Sequence, residues 1–184
     1  MLVQVRGGRG MTRRASLLPS RRAVLYVQAA GDAAAPADLP GWFTERAFHF
    51  YCLSVARLWR PAAARAGLDA ACAQLRQAEG VEHVILVARG RAALAASRWS
   101  QRRGDGRGPD ALILIEPELP ARPALRLAID CPVLVLAGPG RATRPGRLGG
   151  HVTWLQLADA GSWPDELGRW LGAYMYGQGR DQLL

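Results

Sequence analysis

The chain has 184 residues, 49% of them hydrophobic, which is enough for one domain with a buried core and excludes a wholly disordered chain. Its formal net charge of +9 comes from 24 basic residues, all of them arginine, against 15 acidic ones. No recognised nucleic-acid-binding motif accompanies this charge, so a specific nucleic-acid partner is not expected.

Cysteine and histidine are too scattered to indicate a metal centre or a disulfide framework. Cys52, Cys72 and Cys131 contain no CxxC pair, which favours buried, reduced thiols in a cytoplasmic protein. Neither a metal nor another cofactor is predicted, because the histidines are equally isolated; they are His49, His83 and His151. No apolar run reaches the roughly 18–20 residues that span a membrane, so no membrane association is expected.

The N-terminal segment differs in composition from the rest of the chain. Residues 1–22 are rich in arginine and glycine and have no hydrophobic periodicity. This composition predicts a disordered basic tail over 1–22, followed by a single domain over 23–184. Met1 and Met11 are both candidate start residues.

After the tail, apolar runs and helical patterns alternate. Residues 23–28 predict a strand, 41–46 a short helix or turn, and 47–56 a second strand that is apolar on both faces. The segment Pro61–Ala78 predicts a helix, since proline suits a first helical turn and Gly80 a C-terminal stop.

The same alternation continues in the second half of the chain. Residues 84–87 read Val-Ile-Leu-Val, which predicts a buried strand, and a tight turn over 88–92 leads into an alanine-rich helix over 91–102. The remaining predicted elements are strands at 111–116, 131–137 and 151–157, a short helix within 121–130, a loop over 138–150, and a helix over 162–177 that opens with an S-x-x-D N-cap.

Alternation of this kind defines a fold class. Apolar strands connected through helices predict an α/β three-layer sandwich, built on a mostly parallel twisted sheet of about six strands.

The turn at 88–92 carries a family resemblance. It is similar to the nucleophile elbow of the α/β-hydrolase fold, in which a G-x-S-x-G turn presents a serine between a strand and a helix. Ala88 and Ala92 take the glycine positions, and Gly90 takes the serine position. The order of elements over 23–177 and the segments ALILIEP and CPVLVLAG also resemble this fold. The chain resembles a small α/β-hydrolase-like protein without a lid and with a degenerate elbow.

The resemblance implies a catalytic triad in the order serine, acid, histidine, and this sequence departs from it. Gly90 has no side chain, Ser162 stands at the histidine position, and Glu116 or Glu118 would have to serve as the acid. Acyl transfer needs a nucleophile and a base, so its loss is expected. The sequence therefore leans against an enzyme and predicts a degenerate hydrolase-like protein that binds a ligand or acts as a scaffold.

Arginines near the turn suggest what such a site could bind. Arg89 and Arg91 flank Gly90, and Arg141 follows a later strand, so all three are expected at the carboxyl edge of the sheet with a small acidic or acyl-type ligand. The predicted ligand-binding residues are Gln28, Gly31, Arg89, Gly90, Arg91, Glu118, Arg141 and Trp163.

Other interpretations stay open at this point. The arginines could be solvated surface residues, or Glu116 and Glu118 could pair with them. An alternative function is a non-hydrolytic or unusual enzyme with an arginine-lined, anion-binding site, since one fold hosts many chemistries. An alternative partner is another protein or a second copy of the chain at an exposed sheet edge.

Overall fold

A computed structural model describes residues 11–14, 20–31, 35–55, 60–101, 108–118, 127–138, 148–149, 152–157 and 163–181. Within these ranges the chain forms nine strands and four helices. In chain order they are β1 (Met11–Arg14), β2 (Arg22–Ala29), α1 (Leu39–Glu45), β3 (His49–Val55), α2 (Pro61–Ala78), β4 (His83–Arg89), α3 (Ala92–Ser100), β5 (Ala111–Ile115), β6 (Leu127–Ala128), β7 (Val133–Ala137), β8 (Leu148–Gly149), β9 (Val152–Gln156) and α4 (Trp163–Asp181).

Seven strands form one sheet in the order β1-β3-β2-β4-β5-β7-β9. All neighbours from β3 to β9 are parallel, and only β1 is antiparallel. Helices α2 and α3 pack on one face, whereas α1 and α4 pack on the other. The predicted α/β three-layer sandwich is confirmed, with one antiparallel edge strand added to the expected six.

The central strands are buried on both faces. Every residue of β5 and β7 is buried, as are all residues of β4 except its two ends. A parallel sheet covered by helices on both sides needs continuous apolar strands, which is why the sequence located these three. No helix in the described ranges has the length and apolar character needed to cross a membrane.

Part of the predicted disordered tail is a strand. β1 pairs with β3, with Met11 opposite Leu53, and Met11 is buried. Without β1, this side of β3 would present a row of unpaired backbone groups, and the pairing satisfies them whatever the side chains. The prediction of disorder is therefore wrong for 11–14, while 1–10 and 15–19 lie outside the described residues.

Two connections also differ from their predictions. Residues 127–128 form β6, so the helix predicted within 121–130 is wrong there; 121–126 lie outside the described residues. Residues 148–149 form β8 inside the predicted loop and pair with β6 in parallel. A strand of two residues is too short to show a period of alternation, so neither had a sequence signal.

Asp110 joins several elements at the amino edge of the sheet. Its Oδ2 accepts the Val84 N–H at 2.7 Å and lies 3.4 Å from Nη2 of Arg76 on α2. Its Oδ1 lies 3.8 Å from Nδ1 of His83. Its backbone oxygen accepts the Tyr174 hydroxyl of α4 at 3.0 Å. One residue therefore ties both helical layers to the start of β4 and β5.

The three cysteines are free thiols, and Cys72, a residue of α2, is buried. Burial raises the pKa of the Cys72 thiol to about 12, with a smaller raising effect from the Asp110 charge, although Arg76 acts in the opposite direction. Burial likewise raises the pKa of Cys131 to about 12. Both thiols are therefore neutral in the folded protein across the physiological pH range.

Replacing Asp110 by alanine is expected to destabilise the fold by about 1–3 kcal/mol, because the buried Val84 N–H loses its acceptor, whereas Nη2 of Arg76 keeps the Gly108 oxygen at 2.9 Å. The free energy of unfolding from urea denaturation measures this. Asp130→Ala removes an exposed carboxylate close by and should change stability by less than about 0.5 kcal/mol. Equal effects of the two substitutions would contradict the role of Asp110.

Alkaline pH should destabilise the protein through Cys72. Below pH 9.0 the thiol is protonated in both folded and unfolded states; between 9.0 and about 12 only the unfolded chain ionises, so stability is lost as pH rises. Cys72→Ala should therefore lose less stability above pH 9.0 than the unsubstituted protein. Urea denaturation on either side of that pH measures the difference, and an identical loss in both proteins would refute the assignment.

Candidate functional site

A two-residue turn connects β4 to α3 at the carboxyl edge of the sheet. Gly90 has φ +55°, in the left-handed region that glycine adopts at little cost. Its N–H donates to the Ile115 oxygen at 3.1 Å, and its own oxygen accepts the Glu118 N–H at 3.0 Å. The elbow is thus fixed to the end of β5 from both sides.

The position of the missing side chain faces a carboxylate. A Cβ built on Gly90 would lie 3.7 Å from Glu118 Oε1, which is the only described group within 4 Å of it. His49 and His83 are the first residues of their strands and lie at the opposite edge of the sheet. His151 lies outside the described residues.

Glu116 holds Arg89 beside the elbow. Nε and Nη2 of Arg89 donate to Glu116 Oε2 at 3.2 and 2.8 Å, with both side chains about one-third exposed. Glu116 itself has φ +44°, and its Oε1 would lie 2.9 Å from a Cβ at Gly138, so a side chain there would force the Glu116 carboxylate to move. The pairing of Glu116 with an arginine, one of the open interpretations, is therefore what the structure shows.

Gln28 lies beside the elbow, since Val27 pairs with Ala88 in the parallel ladder. Its Nε2 donates to Ser54 Oγ at 3.1 Å, whereas its Oε1 is buried and accepts no hydrogen bond from the described residues. Gly31 forms an exposed turn after β2 with φ +88°. The end of β2 thus has one buried hydrogen-bond acceptor, Gln28 Oε1, to which no described residue donates.

Two predicted ligand-binding residues lie elsewhere. Trp163 is 7% exposed and packs edge-on against Trp42, with ring centroids 6.1 Å apart, so it joins α4 to α1 in the core instead of lining a pocket. Arg91 is exposed and lines a cavity between α2 and α3 together with Arg65 and Arg98. Arg89, by contrast, pairs with Glu116 at the end of β5, and binding of one ligand by both arginines stays a prediction.

The remaining predicted residues, Arg141 and Ser162, lie outside the described residues. The sequence reasoning did not identify Arg65 and Arg98 as site residues. For Arg98 there is a signal, the spacing of Arg91, Leu94 and Arg98, which places basic and apolar residues on one helix face.

The arrangement at the elbow restricts its chemistry. Glu116 and Glu118 place carboxylates around the turn, and Arg89 beside it is already paired with Glu116. A developing oxyanion requires hydrogen-bond donors and positive potential at the elbow. Two carboxylates at this turn oppose such a charge.

Comparison with known proteins identifies the fold. No protein-family model and no curated protein sequence matches the chain. It is similar to Est1E from Butyrivibrio proteoclasticus, with a TM-score of 0.70 and 10% identity over 91% of this chain and 93% of that one. It is also similar to esterase PE8, with a TM-score of 0.65 and 18% identity over 88% and 97% of the two chains. An alpha-beta serine hydrolase homologue from Coxiella burnetii gives 0.63 and 11% over 85% and 86%.

These structures share a fold with the chain, and the predicted resemblance is confirmed at that level. The chain has the α/β-hydrolase fold, with Gly90 at the end of the strand that carries the elbow.

Adding a Cβ at the elbow should destabilise the protein. Gly90→Ala must hold alanine at a left-handed φ, which costs roughly 1–2 kcal/mol, and the nearest atom at 3.7 Å adds no clash. Gly67→Ala is the matched control, because Gly67 lies inside α2 with nothing within 4 Å of the added Cβ. The control should stabilise the helix by up to about 1 kcal/mol.

Thermal and urea denaturation of both variants measure the two effects. Stabilisation by Gly90→Ala would show that the turn does not require the left-handed conformation.

Proposed function

We propose that this chain no longer carries out acyl transfer and acts as a ligand-binding or scaffolding protein of the α/β-hydrolase fold. The observation that carries the proposal is Gly90, which forms the elbow without a side chain and faces Glu118. Hydrolysis by this fold begins with nucleophilic attack from the elbow residue, assisted by a base. Glycine supplies no atom for that attack.

The charges around the elbow support the same proposal. Oxyanion stabilisation is among the largest contributions to catalysis of acyl transfer, and carboxylates near the reacting oxygen reduce it. Glu118 lies next to the nucleophile position, and Glu116 neutralises Arg89. A serine at residue 90 would therefore face a carboxylate, and no histidine among the described residues would reach it as a base.

Partners and location follow as parts of this proposal. Free thiols at Cys52, Cys72 and Cys131 favour a reducing compartment, so we place the protein in the cytoplasm. A small acidic or acyl-type ligand is the first candidate partner. A protein partner or a second copy of the chain is the other, through the edge of the sheet at β9, which has no strand beside it in the described residues.

The test combines a covalent serine probe with an ester assay. A fluorophosphonate should not label the protein, and p-nitrophenyl acetate and butyrate should be hydrolysed no faster than with the heat-denatured chain. Esterases accelerate such reactions by at least about 10⁶-fold, so a retained activity would be unmistakable. Gly90→Ser alone should remain unlabelled, because no described histidine reaches the elbow.

Labelling of the unsubstituted protein, or turnover that is lost in Glu118→Gln, would refute the proposal. Ester turnover that is lost in Glu116→Gln, but without labelling, would refute the proposal as well and would support an unusual enzyme of this fold, in which the Arg89–Glu116 pair takes part in the reaction.

A further inference from the structure

A cavity of about 100 Å³ lies between α2 and α3, on the face of the sheet opposite α1 and α4. One wall is formed by positions i, i+3 and i+4 of α2, which are Pro61, Ala64 and Arg65. The other is formed by positions i, i+3, i+4 and i+7 at the start of α3, which are Arg91, Leu94, Ala95 and Arg98. Neither Gly90, Glu116 nor Glu118 lines it. The cavity is therefore distinct from the elbow, although Arg91 lies next to Gly90 in the chain.

The polar part of this cavity is strongly basic. Three arginines line it, Arg65, Arg91 and Arg98, and none of the described lining residues is a carboxylate. Asp69 of α2 lies beside the cavity: its Oδ2 is 3.6 Å from Nε of Arg65, and its Oδ1 accepts the Trp99 indole N–H at 2.9 Å. The described walls of the cavity are therefore basic.

The ends of the two helices add to this positive potential. Arg60 and Arg91 occupy the N-cap positions of α2 and α3, neither side chain caps its helix, and neither first turn contains an acidic residue. Helix N-termini carry a partial positive charge and favour carboxylates or hydroxyl caps, so arginine is an unfavourable choice there. Violations of this kind are expected where a binding site requires them.

The rest of the cavity is apolar. Its walls also contain Pro61, Ala64, Leu94, Ala95 and Trp99, and the indole of Trp99 is fixed by its hydrogen bond to Asp69. A fully hydrated anion would leave these walls uncovered. A dry cavity of about 150 Å³ holds benzene, so the smaller volume here fits an aliphatic group of a few carbons.

We propose that the α2–α3 cavity binds a small carboxylate that bears a short aliphatic chain. The carboxylate lies among the guanidinium groups of Arg65, Arg91 and Arg98, and the chain lies against Leu94, Ala95 and the other apolar walls. Charge-assisted hydrogen bonds hold the head group, and burial of apolar area holds the chain. This proposal does not depend on the catalytic state of the elbow.

Nuclear magnetic resonance titration of the full chain with butyrate tests it. Butyrate should shift the Trp99 indole N–H and the backbone amides of Leu94, Ala95 and Arg98. Butyramide, its neutral isostere, should bind about tenfold more weakly or worse, since it forms no charge-assisted hydrogen bond as an acceptor. Inorganic phosphate, which has charge but no chain, should also bind more weakly.

Substitutions localise the binding. The double variant Arg65→Gln/Arg98→Gln should lose at least about tenfold in butyrate affinity, while Arg169→Gln, an exposed arginine on α4 in the opposite layer, should bind as the unsubstituted protein does. Ala95→Phe should fill the cavity and abolish the Trp99 shift. Circular dichroism confirms that each variant is folded.

Several results would overturn the assignment. They are equal binding of butyrate and butyramide, equal binding of butyrate and phosphate, full affinity in the double variant, or shifts confined to the elbow around Gly90. Absence of any shift with butyrate overturns it as well. None of these results changes the outcome of the ester assay, so the two proposals fail independently.

Discussion

The parallel hydrogen bonding of β2, β4 and β5 determines which residues meet at the turn around Gly90. Because the three strands run side by side in the same direction, their carboxyl ends meet at one edge. That edge brings Gln28, the turn at Gly90 and the carboxylates after β5 together from distant parts of the sequence. The register extends from buried apolar pairs such as Leu86 and Leu112, so the core fixes the geometry of the edge.

Chain reversal at the elbow explains why two neighbouring arginines have different surroundings. Arg89 ends a strand and points to the end of β5, where Glu116 binds it. Two residues later, Arg91 stands at the start of α3 and belongs to the surface between two helices. Among the described residues, the charge of Arg89 is consequently balanced by Glu116, while Arg91 contributes to the cavity between α2 and α3.

Sequence patterns predicted the fold well where burial is complete. The apolar runs of β4, β5 and β7 and the proline-to-glycine limits of α2 are local signals, and each gave its element within one or two residues. The antiparallel strand β1 was not predicted, because its pairing is made by backbone atoms and its arginines are typical of a charged tail.

The candidate site was predicted only in part. The sequence located Gly90 in the turn after a buried strand and offered Glu116 as a partner for an arginine, because both follow apolar strands directly. It did not show that Trp163 packs on Trp42 or that Arg91 lines a cavity beside α2, since neither the packing of α4 on α1 nor the facing of two helices is encoded in local spacing. These properties depend on which elements become neighbours in space.

Glycine at this turn also separates stability from chemistry. A side chain at a left-handed φ strains the backbone by roughly 1–2 kcal/mol, and Gly90 at φ +55° is free of that strain. Any side chain placed at residue 90 would have to be held there by the rest of the fold, as strained functional residues generally are. The stability of the turn thus favours the one residue that has no side chain with which to do chemistry.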